Sequence, residues 1–354
     1  MSFDLEKLVR ENVKNLTAYS SARQEFAGAA QIFLDANENG FGSPVRANLN
    51  RYPDPLQPKL KRVIAERERI ASGQIFLGNG SDEAIDLLFR AFCEPRIDEA
   101  IITPPTYGMY EVSAAVNDVK ISRVALGEDF RISSERILGA ACEQTKLIFL
   151  CSPNNPTGNI LKRTEILKIA EKFSGIVVVD EAYIHFSGAP SLIGELENFQ
   201  NLVVLQTFSK AWGLAGLRVG AAFANVQIVE ILNRIKPPYN VGAIAQEILL
   251  EALKNENEMR RTVGLIVKER ERLIKILTSL PFVERVYPSD ANFLLVKMSN
   301  AAKVYRYLLE QKIVVRNRSN VERLNECLRI TVGTPQENEA LTSGLEKLPP
   351  EKLL

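Results

Sequence analysis

The chain has little of what several kinds of functional site require. A single histidine, His185, excludes metal sites built from several histidines and argues against a Ser-His-Asp triad. The four cysteines form no CxxC pair, so neither a zinc cluster nor a disulfide framework is indicated. Lysines and arginines number 44 against 43 aspartates and glutamates, which leaves no positive excess to attract nucleic acid or an anionic membrane. We therefore expect no metal and no nucleic-acid partner.

Long hydrophobic runs are also missing. No run of about 18 apolar residues occurs, which argues against a membrane-spanning helix. The first residues, MSFDLEKLVRENV, are charged and lack the apolar core of a secretory signal. Hydrophobic residues make up 46% and charged residues 25%, close to the average of soluble globular proteins. We expect a cytoplasmic protein, and 354 residues are enough for two domains.

What the sequence does contain is an alternation of short apolar segments and helical patterns. Residues 176–179 are continuously apolar, as in strands buried on both faces, whereas residues 164–173 show helical spacing. This alternation predicts an α/β fold, with a mostly parallel seven-stranded sheet in a large domain. The strand candidates are residues 74–77, 100–103, 120–126, 146–151, 176–180, 202–208 and 219–224.

The pattern changes after Pro237-Pro238. A long, charged, amphipathic region at 246–280 has a polar interruption at 255–257, and short strands and one helix follow it, which indicates a smaller α+β domain. The later elements are strands at 292–296, 313–316 and 328–332 and a helix at 301–311. We expect an N-terminal arm and part of the small domain in 1–50, with one strand candidate at 31–34. The large domain then takes 51–245 and the small domain 246–354.

Polar side chains follow several of the large-domain strands at their carboxyl ends, where ligands collect in open α/β sheets. Asp180 and Tyr183 follow one strand, Asn155 another, and Ser209-Lys210 a third, with Arg218 further on. The segment Gly80-Ser81-Asp82 opens a helix, for which Ser81 is a candidate N-cap.

This set of side chains suits pyridoxal phosphate. A lysine can bond to the cofactor aldehyde and later carry a proton, and a carboxylate can keep the pyridine nitrogen protonated. A phenol and an amide can hydrogen-bond the ring oxygen. A helix N-terminus with an arginine can bind the phosphate.

Motifs along the chain resemble those of fold-type I pyridoxal-phosphate aminotransferases of class II. SPNNPTG, VVVDEAY, SKAWGLAGLR and GNGSDE carry the general resemblance. LTAYSSAR, LDANEN, NRYPDP, PPTYGMY and CLRITVGT are similar to segments of the histidinol-phosphate aminotransferase family. The resemblance runs from about residue 10 to 335.

The resemblance implies a role for each matching residue. Lys210 forms the Schiff base, Asp180 pairs with the pyridine nitrogen, Asn155 and Tyr183 contact the ring oxygen, and Tyr107 stacks on the ring. Lys210, Asp180 and Tyr183 are the catalytic set. The implied phosphate-binding residues are Gly80, Ser81, Asp82, Ser209 and Arg218, with Tyr52 reaching the cofactor of a neighbouring subunit in a homodimer.

The same resemblance implies the substrates. Arg329 receives the substrate anion, with Arg316, Tyr19 and Asn37 beside it. The implied reaction transfers the amino group of L-histidinol phosphate to 2-oxoglutarate, which gives imidazole-acetol phosphate and L-glutamate in histidine biosynthesis. Guanidinium groups pair bidentately with carboxylate and phosphate alike, so one site can serve both amines. Two departures from the family pattern are Ala18, where proline is usual, and Trp212, where a smaller aromatic is common.

Other interpretations of these residues remain open. Arg316 and Arg329 could be salt-bridge partners of glutamates, Tyr52 a turn residue, and His185 a packing residue. Gly78-Asn79-Gly80 could begin a dinucleotide fingerprint, but Glu83 takes the place of its third glycine. The alternative activities are aromatic amino-acid transamination, decarboxylation of a phosphorylated amino acid, and cofactor binding without catalysis.

Overall fold

The fold is built on two β-sheets, which we describe from a computed structural model covering residues 3–17, 32, 34–45 and 49–349. The larger sheet has seven strands in the order β1-β7-β6-β5-β4-β2-β3. Strand β7 runs antiparallel to both of its neighbours, and the other pairs are parallel. The strands are β1 (Ile75–Asn79), β2 (Glu99–Ile102), β3 (Lys120–Arg123), β4 (Thr145–Cys151), β5 (Ile176–Asp180), β6 (Leu202–Thr207) and β7 (Val219–Ala224).

This sheet confirms the predicted α/β fold with a mostly parallel sheet. The predicted strand at 120–126 is too long, because β3 ends at Arg123. The N–H groups of Val124 and Leu126 still donate to the carbonyls of Ile102 and Pro104, over 3.0 and 2.8 Å. The paired strand β2 ends at Ile102, however, and Pro104 has no N–H with which to continue the ladder.

Helices cover both faces of the large sheet. Successive residues of one strand enter different cores: Val177 and Val179 pack in one apolar cluster and Val178 in the other. This division explains why the buried strands read as continuous apolar runs. In chain order the helices of this part are α1 (Leu5–Leu8), α2 (Glu11–Lys14), α3 (Pro58–Glu68), α4 (Ser81–Phe92), α5 (Met109–Val116), α6 (Ser134–Ala140), α7 (Arg163–Lys172), α8 (Val226–Ile235) and α9 (Ala243–Leu253).

The smaller sheet is antiparallel and has the order β10-β11-β9-β8. One of its faces packs on the remaining helices through an apolar cluster that includes Leu294 and Leu328. The other face places Leu295 and Cys327 in the core of the large sheet. The elements are α10 (Glu256–Ser279), β8 (Val283–Val286), β9 (Phe293–Met298), α11 (Ala301–Glu310), β10 (Arg316–Asn317), β11 (Cys327–Thr331) and α12 (Pro335–Glu346).

Two details of the small sheet differ from the prediction. Strand β8 was not predicted, since none of its residues is buried and its sequence, VERV, carries two charges. The strand predicted at 313–316 begins only at Arg316, because the Ile313 N–H donates to the carbonyl of Leu308 and closes the preceding helix.

Helix α9 crosses the predicted domain boundary between residues 245 and 246. Its Leu249 and Leu253 pack in a core of the large sheet, so the helix belongs with the large domain. The division of the chain into three segments stays a prediction. The strand candidate at 31–34 lies partly outside the described residues. Among those residues, no helix is both long and apolar enough to cross a membrane, and no cluster of histidine, cysteine or acidic side chains could hold a metal ion.

Candidate active site

A cavity of about 420 Å³ lies where strands β4, β5 and β6 end, between the large sheet and the arginine-bearing strands of the small sheet. Twelve of the residues predicted from the sequence line it, which brings residues far apart in the chain into one site. They are Gly80, Ser81, Asp82, Tyr107, Asn155, Asp180, Tyr183, Ser209, Lys210, Arg218, Arg316 and Arg329.

Asp180 is the last residue of β5 and is only 3% exposed. Burial raises the pKa of its carboxyl group from 3.8 to about 6. The Tyr110 hydroxyl donates to Oδ2 over 2.8 Å and the Ala182 N–H to Oδ1 over 3.1 Å, and both bonds favour the ionised form. A cation placed against this carboxylate, such as a pyridinium N–H, would favour ionisation further.

Lys210 lies just beyond the end of β6 and faces the same cavity. Its Nζ is 5.8 Å from the centre of the Tyr183 ring. Burial lowers the pKa of Lys210, and the positive charges of Arg329 and Arg218 lower it further. A lowered pKa increases the share of neutral amine near neutral pH, and the neutral amine is the form that can act as a nucleophile and accept a proton.

Tyr183 and Asn155 form a polar wall beside Lys210. The Asn155 Nδ2 donates to the Tyr183 hydroxyl over 3.4 Å, and Arg329 donates to the Asn155 Oδ1 over 2.5 Å. The Tyr183 ring stands edge-on to Phe293 of the small sheet, with 5.1 Å between ring centres. Burial raises the pKa of Tyr183, which stays a neutral phenol able to donate a hydrogen bond. Through these contacts the two sheets meet directly at the site.

The N-terminus of helix α4 forms a cradle for an anion. Gly80 is the N-cap of this helix, so the prediction that Ser81 caps it was wrong; Ser81 is the first helical residue. The N–H groups of Ser81 and Asp82 lie in the first turn, where an α-helix provides no carbonyl to accept them. Arg218 immediately precedes β7, and its guanidinium lies 3.4 Å from the Ser209 hydroxyl and 3.5 Å from the Asp82 carboxylate.

Two glycines keep this cradle open. Gly80 has φ +74°, and a Cβ atom there would lie 2.6 Å from Nη2 of Arg218. A Cβ on Gly220 would overlap the backbone of Ser81. The Gly80 N–H already donates to the Arg218 carbonyl over 2.8 Å, so Gly80 contributes space and not a donor. Together with the lysine and the buried carboxylate, this donor set fits pyridoxal phosphate.

Tyr107 closes one side of the cavity. Its hydroxyl donates to the Asp82 Oδ1 over 3.0 Å, and its ring stands edge-on to Tyr110 at 5.6 Å. Burial and the neighbouring Asp82 raise the pKa of Tyr107, which therefore remains neutral.

Two of the predicted residues do not line this cavity. Tyr52 is 50% exposed and stacks on Tyr239 with 4.4 Å between ring centres. Asn37 is exposed, has φ +53° and does not line the cavity. Tyr19 and the departure at Ala18 lie outside the described residues. The role of Tyr52 across a homodimer stays a prediction.

The structure also adds residues that the sequence analysis missed. Tyr110, which donates a hydrogen bond to Asp180, is the second residue of helix α5, and no spacing in the sequence indicates that contact. Arg318 lines the cavity with Arg316 and follows it by two residues, the period of an extended strand. Cys151, Ala182, Thr207 and Ala215 complete the lining.

His185 lies away from this site, in a second cavity of about 370 Å³ that it lines with Arg67 and Arg260. Burial lowers its pKa to about 4, so the imidazole is neutral near pH 7. His185 does not line the cavity that contains Lys210 and Asp180. Trp212 packs against Phe208 and lies under the Arg67 guanidinium, which is 4.8 Å from its ring centre.

Comparisons with known proteins agree with this geometry. The family model for "Aminotransferase class I and II" matches residues 43–345. A histidinol-phosphate aminotransferase from Parabacteroides distasonis is 55% identical over 98% of this chain and 99% of its own length.

Solved structures share the fold. A histidinol-phosphate aminotransferase from Sinorhizobium meliloti in complex with pyridoxal-5'-phosphate has a TM-score of 0.80 at 24% identity, with 90% of this chain and 89% of that chain covered. An L-threonine-O-3-phosphate decarboxylase from Porphyromonas gingivalis has a TM-score of 0.73 at 27% identity, with 84% and 90% covered.

Proposed function

Because this chain belongs to the class I and II aminotransferase family and is a pyridoxal-phosphate-dependent aminotransferase, we propose that it transfers the amino group of L-histidinol phosphate to 2-oxoglutarate. The products are imidazole-acetol phosphate and L-glutamate, in histidine biosynthesis. The observation that carries this proposal is the set of three arginines, Arg316, Arg318 and Arg329, in the same cavity as Lys210 and Asp180. The relative that is 55% identical over nearly the whole chain is named for that activity.

The chain's own residues can hold the cofactor. Lys210 would attach it as a Schiff base, Asp180 would face its pyridine nitrogen, and Asn155 and Tyr183 would contact its ring oxygen. The phosphate would lie against the first turn of α4, and the residues proposed to bind it are Ser81 and Asp82 through their N–H groups, Ser209, and Arg218. The Tyr107 ring would stack on the pyridine ring. When bound, the cofactor supplies an electron sink for a carbanion.

Lys210 is proposed to move the substrate's α-proton. Its lowered pKa keeps a larger share of the amine unprotonated than a lysine of ordinary pKa has. Burial is the main cause of the lowered pKa, and Arg329 and Arg218 add to it because both disfavour a third positive charge. Asp180 is proposed to hold a proton on the pyridine nitrogen, and its two hydrogen bonds fix the carboxylate in place.

The arginine side of the cavity is proposed to accept two substrates in turn. A guanidinium fork binds the phosphate of one and a carboxylate of the other with the same geometry. Asn37 and Tyr19 remain proposed substrate residues from the N-terminal segment. We also place Tyr52 at the cofactor of a partner subunit in a homodimer, and the protein in the cytoplasm, where its four free cysteines would stay reduced.

One alternative has a specific observation in its favour. The 27% identical structure is titled a decarboxylase of a phosphorylated amino acid, and an arginine cluster would bind such a phosphate too. Aromatic amino-acid transamination is the other alternative, and it would leave the charge of these arginines without a phosphate partner.

A product assay separates these activities. Purified holoprotein with L-histidinol phosphate and 2-oxoglutarate should form glutamate, with a kcat/KM well above that for phenylalanine. With O-phosphothreonine it should release no carbon dioxide. A Lys210→Ala protein serves as the control and should form no glutamate. Carbon dioxide release, or a preference for phenylalanine, would reject the proposed function and leave the family assignment in place.

A further inference from the structure

Arg318 lines the cavity and carries a buried side-chain donor that lacks a hydrogen-bond partner among the described residues. Its side chain is half-buried, and its Nε is fully buried with no hydrogen-bond partner in the part of the chain that the structure describes. A buried donor without a partner destabilises the protein unless a ligand accepts a hydrogen bond from it. By contrast, Arg329 already donates to Asn155.

Strand register places Arg318 beside the other two arginines. In the β10–β11 ladder Arg316 lies opposite Arg329, and Asn317 lies opposite Leu328. The backbone N–H of Arg318 donates to the Cys327 carbonyl over 2.9 Å, which continues the ladder by one residue. Because side chains alternate between the faces of a sheet, residues 316, 318 and 329 share one face.

That face points toward the large sheet. Leu328, between Cys327 and Arg329, packs in the core of the small domain, whereas Cys327 packs in a core of the large sheet. The three guanidinium groups therefore extend toward Lys210 and Tyr183. All three line the same cavity.

The three arginines form an unneutralised cluster of positive charge. Within the described residues none of them makes an ion pair with a carboxylate, although the chain has nearly as many acidic as basic residues. Burial lowers the pKa of Arg318 to about 10, and the neighbouring Arg329 and Arg316 contribute to that lowering. The three guanidinium groups repel one another, and an anion of high charge bound among them would reduce that repulsion.

We propose that Arg318 selects a phosphate monoester over a carboxylate at this site, an inference that rests on the function proposed above. A carboxylate carries one charge on two oxygens, which a single arginine fork can satisfy. A phosphate monoester carries between one and two charges near neutral pH and has three terminal oxygens. The third guanidinium therefore has a partner only when the phosphate-bearing substrate is bound.

The test compares the two half-reactions of the holoprotein. Wild type, Arg318→Gln and Arg318→Lys are each mixed with L-histidinol phosphate or with L-glutamate, and the change in cofactor absorbance is followed. Loss of one charge-assisted bond should lower kcat/KM for histidinol phosphate about 10- to 100-fold in Arg318→Gln. Glutamate should be little affected, and Arg318→Lys should recover part of the loss because it keeps the charge.

A matched control is Arg306→Gln. Arg306 lies on helix α11, is exposed, and does not line the cavity, so both half-reactions should be unchanged. An equal fold-loss for histidinol phosphate and glutamate in Arg318→Gln would overturn the inference and show a structural role. No loss for either substrate would also overturn it.

A binding measurement distinguishes failure of this inference from failure of the proposed function. Inorganic phosphate is titrated calorimetrically into the holoproteins, where the cofactor already fills the α4 cradle. Arg318→Gln should bind phosphate about tenfold or more weakly than wild type, and Arg306→Gln equally well. If wild type does not convert histidinol phosphate, the function fails, while this titration still decides the role of Arg318. Equal phosphate affinity in wild type and Arg318→Gln would contradict that role.

Discussion

The bond between Tyr110 and Asp180 allows a quantitative prediction about the buried carboxylate. Tyr110 is fully buried, stacks on Phe149 with 4.8 Å between ring centres, and donates its hydroxyl proton to Asp180 over 2.8 Å. Tyr110→Phe keeps the ring and its stacking and removes only that donor. A hydrogen bond to a charged group contributes about 1.5–3 kcal/mol. Since about 1.4 kcal/mol corresponds to a tenfold change in acidity, Asp180 should become about a 10- to 100-fold weaker acid.

The sign of the effect on activity follows from the direction of the pKa change. Burial already raises the pKa of Asp180 to about 6 in the cofactor-free protein, and the variant raises it further. More of the carboxyl group is then protonated at a given pH, so less remains to hold a proton on the pyridine nitrogen. The acidic limb of the kcat/KM profile should move to higher pH, with turnover reduced at pH 7 and partly recovered toward pH 9.

The assay is steady-state kcat/KM from pH 5.5 to 9 on the holoproteins. Tyr305→Phe is the control, because Tyr305 lies on α11 against the small-domain core and not in the cavity. A Tyr110→Phe profile that overlays wild type would refute the argument that this phenol tunes Asp180. A uniform loss at every pH would point to misfolding of the cavity, which the cofactor spectrum and the melting temperature would reveal.

Three further predictions concern the stability of the protein and its affinity for the cofactor. Ionised Asp180 destabilises the cofactor-free fold above about pH 6. Asp180→Asn should therefore stabilise the apoprotein at pH 7.5 by about 2–3 kcal/mol, while nearly abolishing turnover. Urea unfolding measures this, and a variant apoprotein no more stable than wild type would contradict it. Burial lowers the pKa of His185 from 6.5 to about 4, so stability should be lost as pH falls from 6.5 toward 4, and melting curves of His185→Asn should show a shallower loss with normal turnover. If His185→Asn were inactive, the imidazole would have a role not described above. Gly80→Ala places a methyl group 2.6 Å from Arg218 at a residue with φ +74°, and it should weaken cofactor binding about tenfold. Spectroscopic titration of the apoprotein with the cofactor measures this affinity. An unchanged affinity would argue against phosphate binding at the N-terminus of α4.

The large domain could be predicted from the sequence because its signals are local. Continuous apolar runs such as residues 176–179 occur where both faces of a strand are buried, and they were located almost to the residue. The site residues that end these strands, Asp180 and Lys210 among them, could be predicted too, because the carboxyl ends of neighbouring strands meet at one edge. Strand β8 gave no such signal, since its partly exposed, charged sequence does not alternate clearly.

Features that depend on distant contacts could not be predicted in the same way. The bond from Tyr110 to Asp180 joins residues 70 positions apart, and nothing in the spacing of either indicates it. The convergence of Arg318 with Arg329 depends on the register of β10 against β11. Ser81 had the residue type of an N-cap, but the positive φ of Gly80 moved the start of helix α4 by one residue.

The most direct test of the account is a single half-reaction of the holoprotein. L-Histidinol phosphate is added without an acceptor, and the cofactor absorbance is followed in wild type and in Lys210→Ala. We predict rapid, stoichiometric conversion to the aminated cofactor in wild type, much faster than with phenylalanine, and none in the variant. Slow conversion with histidinol phosphate and fast conversion with phenylalanine would contradict the proposed substrate. Normal conversion in Lys210→Ala would contradict the role of the lysine itself.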